Sequence, residues 1–224
     1  MSHKVIPFIS ALLTVVFLFA FTVPLKASPS PAKVISSPGY FEETIQELPP
    51  PDFHPIADFT RVAERVSLQE LINYMAEHGM TLYLPTQLPN GLKLTAVWLK
   101  DGPFVAMIVY DRHAETDPYL AELVIELYPT PLTAYGGRSE LEKHLKEVYG
   151  DEYGKRIKTL EVNGWFVVID EKAPCGAPRT VEKFGPYVLY VRVWIEEVEY
   201  RIVAHTLTVE EVVQLIQNMK PTEA

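Results

Sequence analysis

Three pairs of strand-like segments are each joined by a tight turn, and this pattern limits the fold more than any other feature of the chain. Leu92 to Leu99 and Phe104 to Tyr110 flank Asp101-Gly102, Ile157 to Val162 and Trp165 to Ile169 flank Asn163-Gly164, and Tyr187 to Ile195 and Val198 to Leu207 flank Glu196-Glu197. Asp-Gly and Asn-Gly favour the positive φ angles that two-residue hairpins need. Successive hairpins build an antiparallel sheet, whereas parallel strands need long crossovers. Ala121 to Tyr128 supplies a further strand, with Leu123, Ile125 and Leu127 alternating against Glu122, Val124 and Glu126.

Helix starts are marked by capping boxes, in which a Ser or Thr and a Glu three residues later satisfy each other's backbone N–H groups. Ser67-Leu68-Gln69-Glu70 is one, with Val66 and Leu71 spaced as a hydrophobic staple and Gly79 as terminator. Ser139-Glu140-Leu141-Glu142 predicts a second helix stopping at Gly150, and Thr208-Val209-Glu210-Glu211 predicts a third, with Pro221 beyond its end. The expected class is α+β: a curved antiparallel sheet of about seven or eight strands, with three helices packed on one face.

The last hairpin divides into two faces. Leu189, Val191, Val193 and Ile195 join Val198, Tyr200, Ile202 and Ala204 on a core face. The opposite face carries Tyr190, Arg192, Trp194, Arg201, Val203 and His205, and a two-residue turn at Glu196-Glu197 sets Arg192 directly opposite Arg201. Like charges so placed are destabilising unless an anion lies between them. Two readings follow: Glu182, Glu199 or Glu126 neutralises the pair on a solvated face, or the six residues form a binding face with an aromatic floor for an anionic head group. On the second reading, Trp194→Ala and Tyr190→Ala remove binding and spare stability.

Residues Val5 to Leu25 form an uncharged apolar run between Lys4 and Lys26, long enough to insert into a membrane. The run is either an anchor or a signal peptide cleaved near Ala27, and on both readings the rest of the chain is exported. Residues 28–58 are rich in Pro and Ser, including Pro49-Pro50-Pro51, and are expected to act as a semi-rigid tether. Residues 59–224 suit one extracytoplasmic domain with a single core.

The 224-residue chain has a formal net charge of -9, and without Lys4 and Lys26 the exported part carries -11. With no basic cluster to break that balance, nucleic acid is a poor partner. The single Cys175 lies in a loop and excludes an intramolecular disulfide framework.

Alternating Asp111, His113, Glu115 and Asp117 are the densest group of potential metal ligands, and a metal-dependent hydrolase built on them is one functional alternative. No glycine supplies the sharp turn of a calcium loop there, so a polar connection between strands is the expected role. None of the six histidines makes a metal-ligand spacing. G-x-S-x-G, P-loop and dinucleotide motifs are absent, and no cofactor is expected. Gly136-Gly137 reads as a turn into a helix start.

Three short segments together resemble a known family: Leu84-Pro85-Thr86-Gln87-Leu88-Pro89-Asn90-Gly91, then Val162-Asn163-Gly164-Trp165, then Thr208-Val209-Glu210-Glu211-Val212 after a closing strand. The resemblance, covering Leu82 to Met219, is to an uncharacterised extracytoplasmic domain family found behind single membrane anchors in anti-sigma-factor-like and archaeal surface proteins. It is similar in outline to the half-barrel carriers of lipoproteins, which implies a curved sheet with an apolar concave face and no catalytic residue. The expected function is therefore that of a membrane-tethered or secreted, non-enzymatic domain binding an amphipathic, lipid-like ligand or a partner protein. A structural subunit of a membrane or cell-surface assembly is the principal alternative.

Overall fold

The turns at Asn163-Gly164 and Glu196-Glu197 each close a two-residue hairpin, with Val162 opposite Trp165 and Ile195 opposite Val198. Asn163 and Glu196 adopt φ of 55° and 54°, left-handed values that an Asn tolerates and a Glu accepts only when the flanking strands impose them. In the computed structural model the described residues are 59–89, 91–102 and 104–223. The expected leader, the expected cleavage near Ala27 and the expected proline-rich tether lie outside them.

Among the described residues the ten strands are β1 (Glu64–Val66), β2 (Tyr83–Pro85), β3 (Lys93–Lys100), β4 (Val105–Asp111), β5 (Leu123–Tyr128), β6 (Ile157–Val162), β7 (Trp165–Pro174), β8 (Tyr187–Ile195), β9 (Val198–Ala204) and β10 (Met219–Pro221). Eight of them form one antiparallel sheet in the order β1-β3-β4-β5-β9-β8-β7-β6, while β2 pairs with β10 in a separate ribbon. The large sheet is open, with β1 and β6 at its edges. It consists of two four-stranded halves, β1-β3-β4-β5 and β9-β8-β7-β6, joined by the β5–β9 pairing. The class is α+β with a large antiparallel sheet, as the hairpins predict.

The helices are α1 (Phe59–Val62), α2 (Leu68–Glu77), α3 (Arg138–Tyr149), α4 (Pro178–Phe184) and α5 (Val209–Gln217). Five helices among the described residues, in place of three, is the first correction. The short α1 and β1 precede the helix expected at Ser67, and α4 begins with Pro178 at a position where its missing N–H costs nothing. Two of the three capping boxes are made: Ser67 with Glu70 at α2 and Thr208 with Glu211 at α5. The third is not. Helix α3 begins two residues early, after Gly137 at φ 85°, and Ser139 falls inside it. The carboxylate of Glu142 is instead used by the Tyr153 hydroxyl at 3.0 Å and by Lys146 at 3.0 Å.

The helices do not share one face, which is the second correction. Leu71 and Met75 of α2 and Val212, Leu215 and Ile216 of α5 pack on the face formed by Ile108, Ile125, Ile202 and Val191. Phe59 of α1 and Val181 of α4 pack on the opposite face against Met107, Val124 and Val203, and Leu141 and Leu145 of α3 join Phe166, Val168 and Trp194 there. Every residue of β4, β5 and β9 is buried. Strands buried on both sides must be covered on both faces, and the unbroken apolar run Val105 to Tyr110 has the composition that such strands need.

Candidate functional site

The β8–β9 pairing sets Arg192 opposite Arg201 and Trp194 opposite Glu199. On the other side of β9, Glu126 of β5 lies opposite Arg201 and Tyr128 lies opposite Glu199. These side chains share the sheet face away from α2 and α5 and form a buried ionic group across three strands. Glu199 is at its centre: its Oε1 accepts from Arg192 Nε at 2.6 Å and from Arg201 Nε at 2.9 Å. The Tyr135 hydroxyl, brought in by a 3-10 turn over Leu132–Tyr135, donates to Oε2 at 3.0 Å. An internal carboxylate therefore separates the two arginines.

Aromatic rings complete the enclosure. The Arg201 guanidinium lies 4.0 Å from the Tyr128 ring centre, and that of Arg192 lies 4.7 Å from Trp194 and 5.0 Å from Tyr135. Desolvated cation–π contacts of this kind are worth up to about 2 kcal/mol each. Glu199 is fully buried; burial opposes its charge, but Arg192 and Arg201 outweigh that and hold its carboxyl down to about 2. Burial would lower both guanidinium pKa values as well, yet the Glu199 charge keeps them above their ordinary range.

The six residues expected to form an open binding face are placed otherwise. Tyr190, Trp194, Arg201 and Val203 are buried, and Arg192 keeps only 11 % of its side chain accessible. Tyr190 and Val203 pack in the cluster beneath α1 and α4, while Trp194 stacks on Phe166 and meets Tyr135 edge-on. Half-buried His205 stacks on Phe184 of α4 at 4.4 Å between ring centres. The solvated face and the open aromatic floor are both corrected: this surface is the inside of a second helical layer. Trp194→Ala would therefore cost stability first.

The Asp111 to Asp117 loop spends its carboxylates on its own backbone. Asp111 is 1 % exposed; its Oδ1 accepts from the backbone N–H groups of His113 at 2.6 Å and Glu115 at 3.2 Å, and its Oδ2 from that of Glu122 at 3.2 Å. Glu115 accepts from the N–H groups of Thr116 and Asp117, and Asp117 accepts from that of Tyr119 and pairs with Arg179 at 3.0 Å. The side chain of His113 is exposed. Among the described residues no group of three or more His, Cys, Asp or Glu side chains is arranged to hold a metal.

Sequence reasoning found both arginines and both glutamates of the ionic group but not Tyr128 or Tyr135. Tyr128 was within reach, two residues beyond Glu126 and so on the same face. Tyr135 arrives from an irregular segment with no period to read. A surface groove of about 220 Å³ lies between the Gln87–Pro89 loop and α5, bordered by Glu211, Gln214 and Asn218. The chain matches no protein-family model, no curated protein and no solved structure.

Proposed function

We propose that this chain is a non-enzymatic exported domain, tethered to a membrane by residues 5–25 or secreted after cleavage near Ala27, that engages a partner protein through its outer surface. The observation that supports it best is the closure of the second sheet face. The Arg192–Arg201 pair on its aromatic floor is neutralised from within by Glu199 and lies beneath helices, so an amphipathic small molecule has no ready-made floor there. The apolar leader supports the exported address, and the resemblance to domains carried behind single membrane anchors supports a tether.

Native mass spectrometry of the protein isolated from its own cells tests this reading. The expected result is a stoichiometric second polypeptide that dissociates intact on activation. A stoichiometric small-molecule adduct without a second polypeptide would overturn the partner reading in favour of a ligand carrier.

A further inference from the structure

Glu126 stands at the join between the two halves of the sheet and is only 2 % exposed. Its Oε2 accepts from the Tyr128 hydroxyl at 3.1 Å, and among the described residues no donor reaches its Oε1. A buried carboxylate is stable in its charged form when several donors point at it. Arg201, the cation opposite, aims Nε and Nη2 at Glu199 instead, at 2.9 and 3.4 Å. Of the four charged residues in the group, Glu126 therefore gains least from being ionised.

Among the described residues the titratable groups around Glu126 are Tyr128 on its own strand, Arg201 and Glu199 on β9 and Tyr190 on β8, with Arg192 and Tyr135 beyond them on the far side of Glu199. From β4 the opposing residue is the apolar Met107. Helices α1 and α4 bring Phe59 and Val181 to this face and keep Arg61, Arg179, Glu182 and Lys183 exposed. Two positive charges thus face one committed negative charge. Ionising Glu126 makes the group neutral overall but leaves a poorly solvated carboxylate in the interior; protonating it removes that desolvation cost and leaves one excess positive charge spread over two guanidinium groups.

We propose that Glu126 is a protonation-controlled latch on the β5–β9 joint, which tightens in mildly acidic surroundings and loosens in alkaline ones. The ligand of this site is the proton. Burial is the main reason that the Glu126 carboxyl is pushed up to about 7, against the pull of Arg201 and Tyr128. A carboxyl with a pKa higher in the folded than in the unfolded chain holds its proton longer when folded. Its contribution is therefore complete below the ordinary value of 4.5 and is lost as the pH rises through about 7. The latch is independent of whether a protein partner exists.

The test is urea unfolding of the full-length chain in a neutral detergent, at about pH 5.5 and about pH 8, for the native protein and for Glu126→Gln. The variant keeps an acceptor for Tyr128 and has no proton to lose. The native folding constant should fall by at least about tenfold more than the variant's between those two pH values. Equal falls would overturn the proposal. If the variant does not fold, carbon-13 NMR of the native glutamate carboxyls decides: one buried carboxyl titrating near neutrality supports the latch, and ordinary titration of all of them removes it. Hydrogen exchange then locates the effect. After correction for intrinsic rates, the β5 and β9 amides should open at least about tenfold more readily at the higher pH than the β3–β4 amides do. Uniform opening across the sheet would overturn the assignment to the joint.

Discussion

The two faces of the large sheet are covered in the same manner and held by different physics. Beneath α2 and α5 the interior is aliphatic, with Ile108, Ile125, Val191 and Ile202 carrying the contact. Beneath α1, α3 and α4 two apolar clusters flank Arg192, Glu199, Arg201 and Glu126. The first face tolerates apolar side chains of the right volume, because dispersion and burial are not directional. The second depends on who is paired with whom, because a buried charge without its partner costs more than the pair gains. Equal burial therefore conceals unequal fragility.

The largest expected effect comes from breaking the centre of the ionic group. Glu199→Ala leaves two buried guanidinium groups side by side, and urea unfolding should record a loss of about 3–5 kcal/mol or a failure to fold. Ile202→Ala, on the same strand and the other face, should lose about 2–5 kcal/mol, as truncation of a core aliphatic does. The comparison sharpens in double variants. Arg192→Met with Glu199→Ala should recover part of the Glu199→Ala loss by removing one orphaned charge, whereas adding a second truncation to Ile202→Ala recovers nothing. No recovery would mean that the ionic group is not coupled as its geometry requires.

Acid offers a second way to separate the faces. The Glu199 carboxyl is depressed to about 2 from 4.5, so its contribution is full above 4.5 and is lost as the pH falls through about 2. Thermal melts should show this acid limb in the native chain and show it shortened in an Arg192→Met, Glu199→Met variant. The aliphatic face contributes no such dependence.

Smaller effects belong to the loop and the helix starts. Asp111→Asn removes the charge that three backbone N–H groups point at and should cost about 1–3 kcal/mol by urea unfolding, while exposed His113→Ala should change stability by less than about 0.5 kcal/mol. Thr208→Ala should lose about 1 kcal/mol, because Thr208 caps α5, whereas Ser139→Ala should be close to neutral, because Ser139 caps nothing. Equal losses from the two would contradict the observed start of α3.

What the sequence revealed depended on how local the cause was. Strands β3 to β9 lie close to their expected positions because alternation and turn residues are written within ten residues, although the Asp101-Gly102 turn closes with Lys100 opposite Val105 and so spans four residues rather than two. Strands β1, β2 and β10 are three residues each, too short to carry a period. Helix α4 had its signals, Pro178 at the start and Gly185 after the end, but its seven residues are fewer than a periodic reading needs. The opposition of Arg192 and Arg201 was readable from one turn. That Glu199 would neutralise both in the interior was not, since it depends on α3 and on the Tyr135 segment crossing that face. The composition of β4, apolar on both sides, was the one local hint of a second covering layer.

The division of the sheet into two halves also bears on the order in which the molecule is made. Each half is knit from neighbouring hairpins, but the joint must bring residues 123–128 to residues 198–204, closing the longest loop in the sheet. Loop entropy and non-local pairing place such a step late in folding. A slip of one residue there would turn Glu126 or Arg201 into the aliphatic face, and a slip of two would separate both from their partners. The ionic group thus acts as a proofreader: only one register of the final closure leaves no buried charge alone. Pulsed hydrogen-exchange labelling during refolding should find the β5 and β9 amides at the joint protected after those within either half.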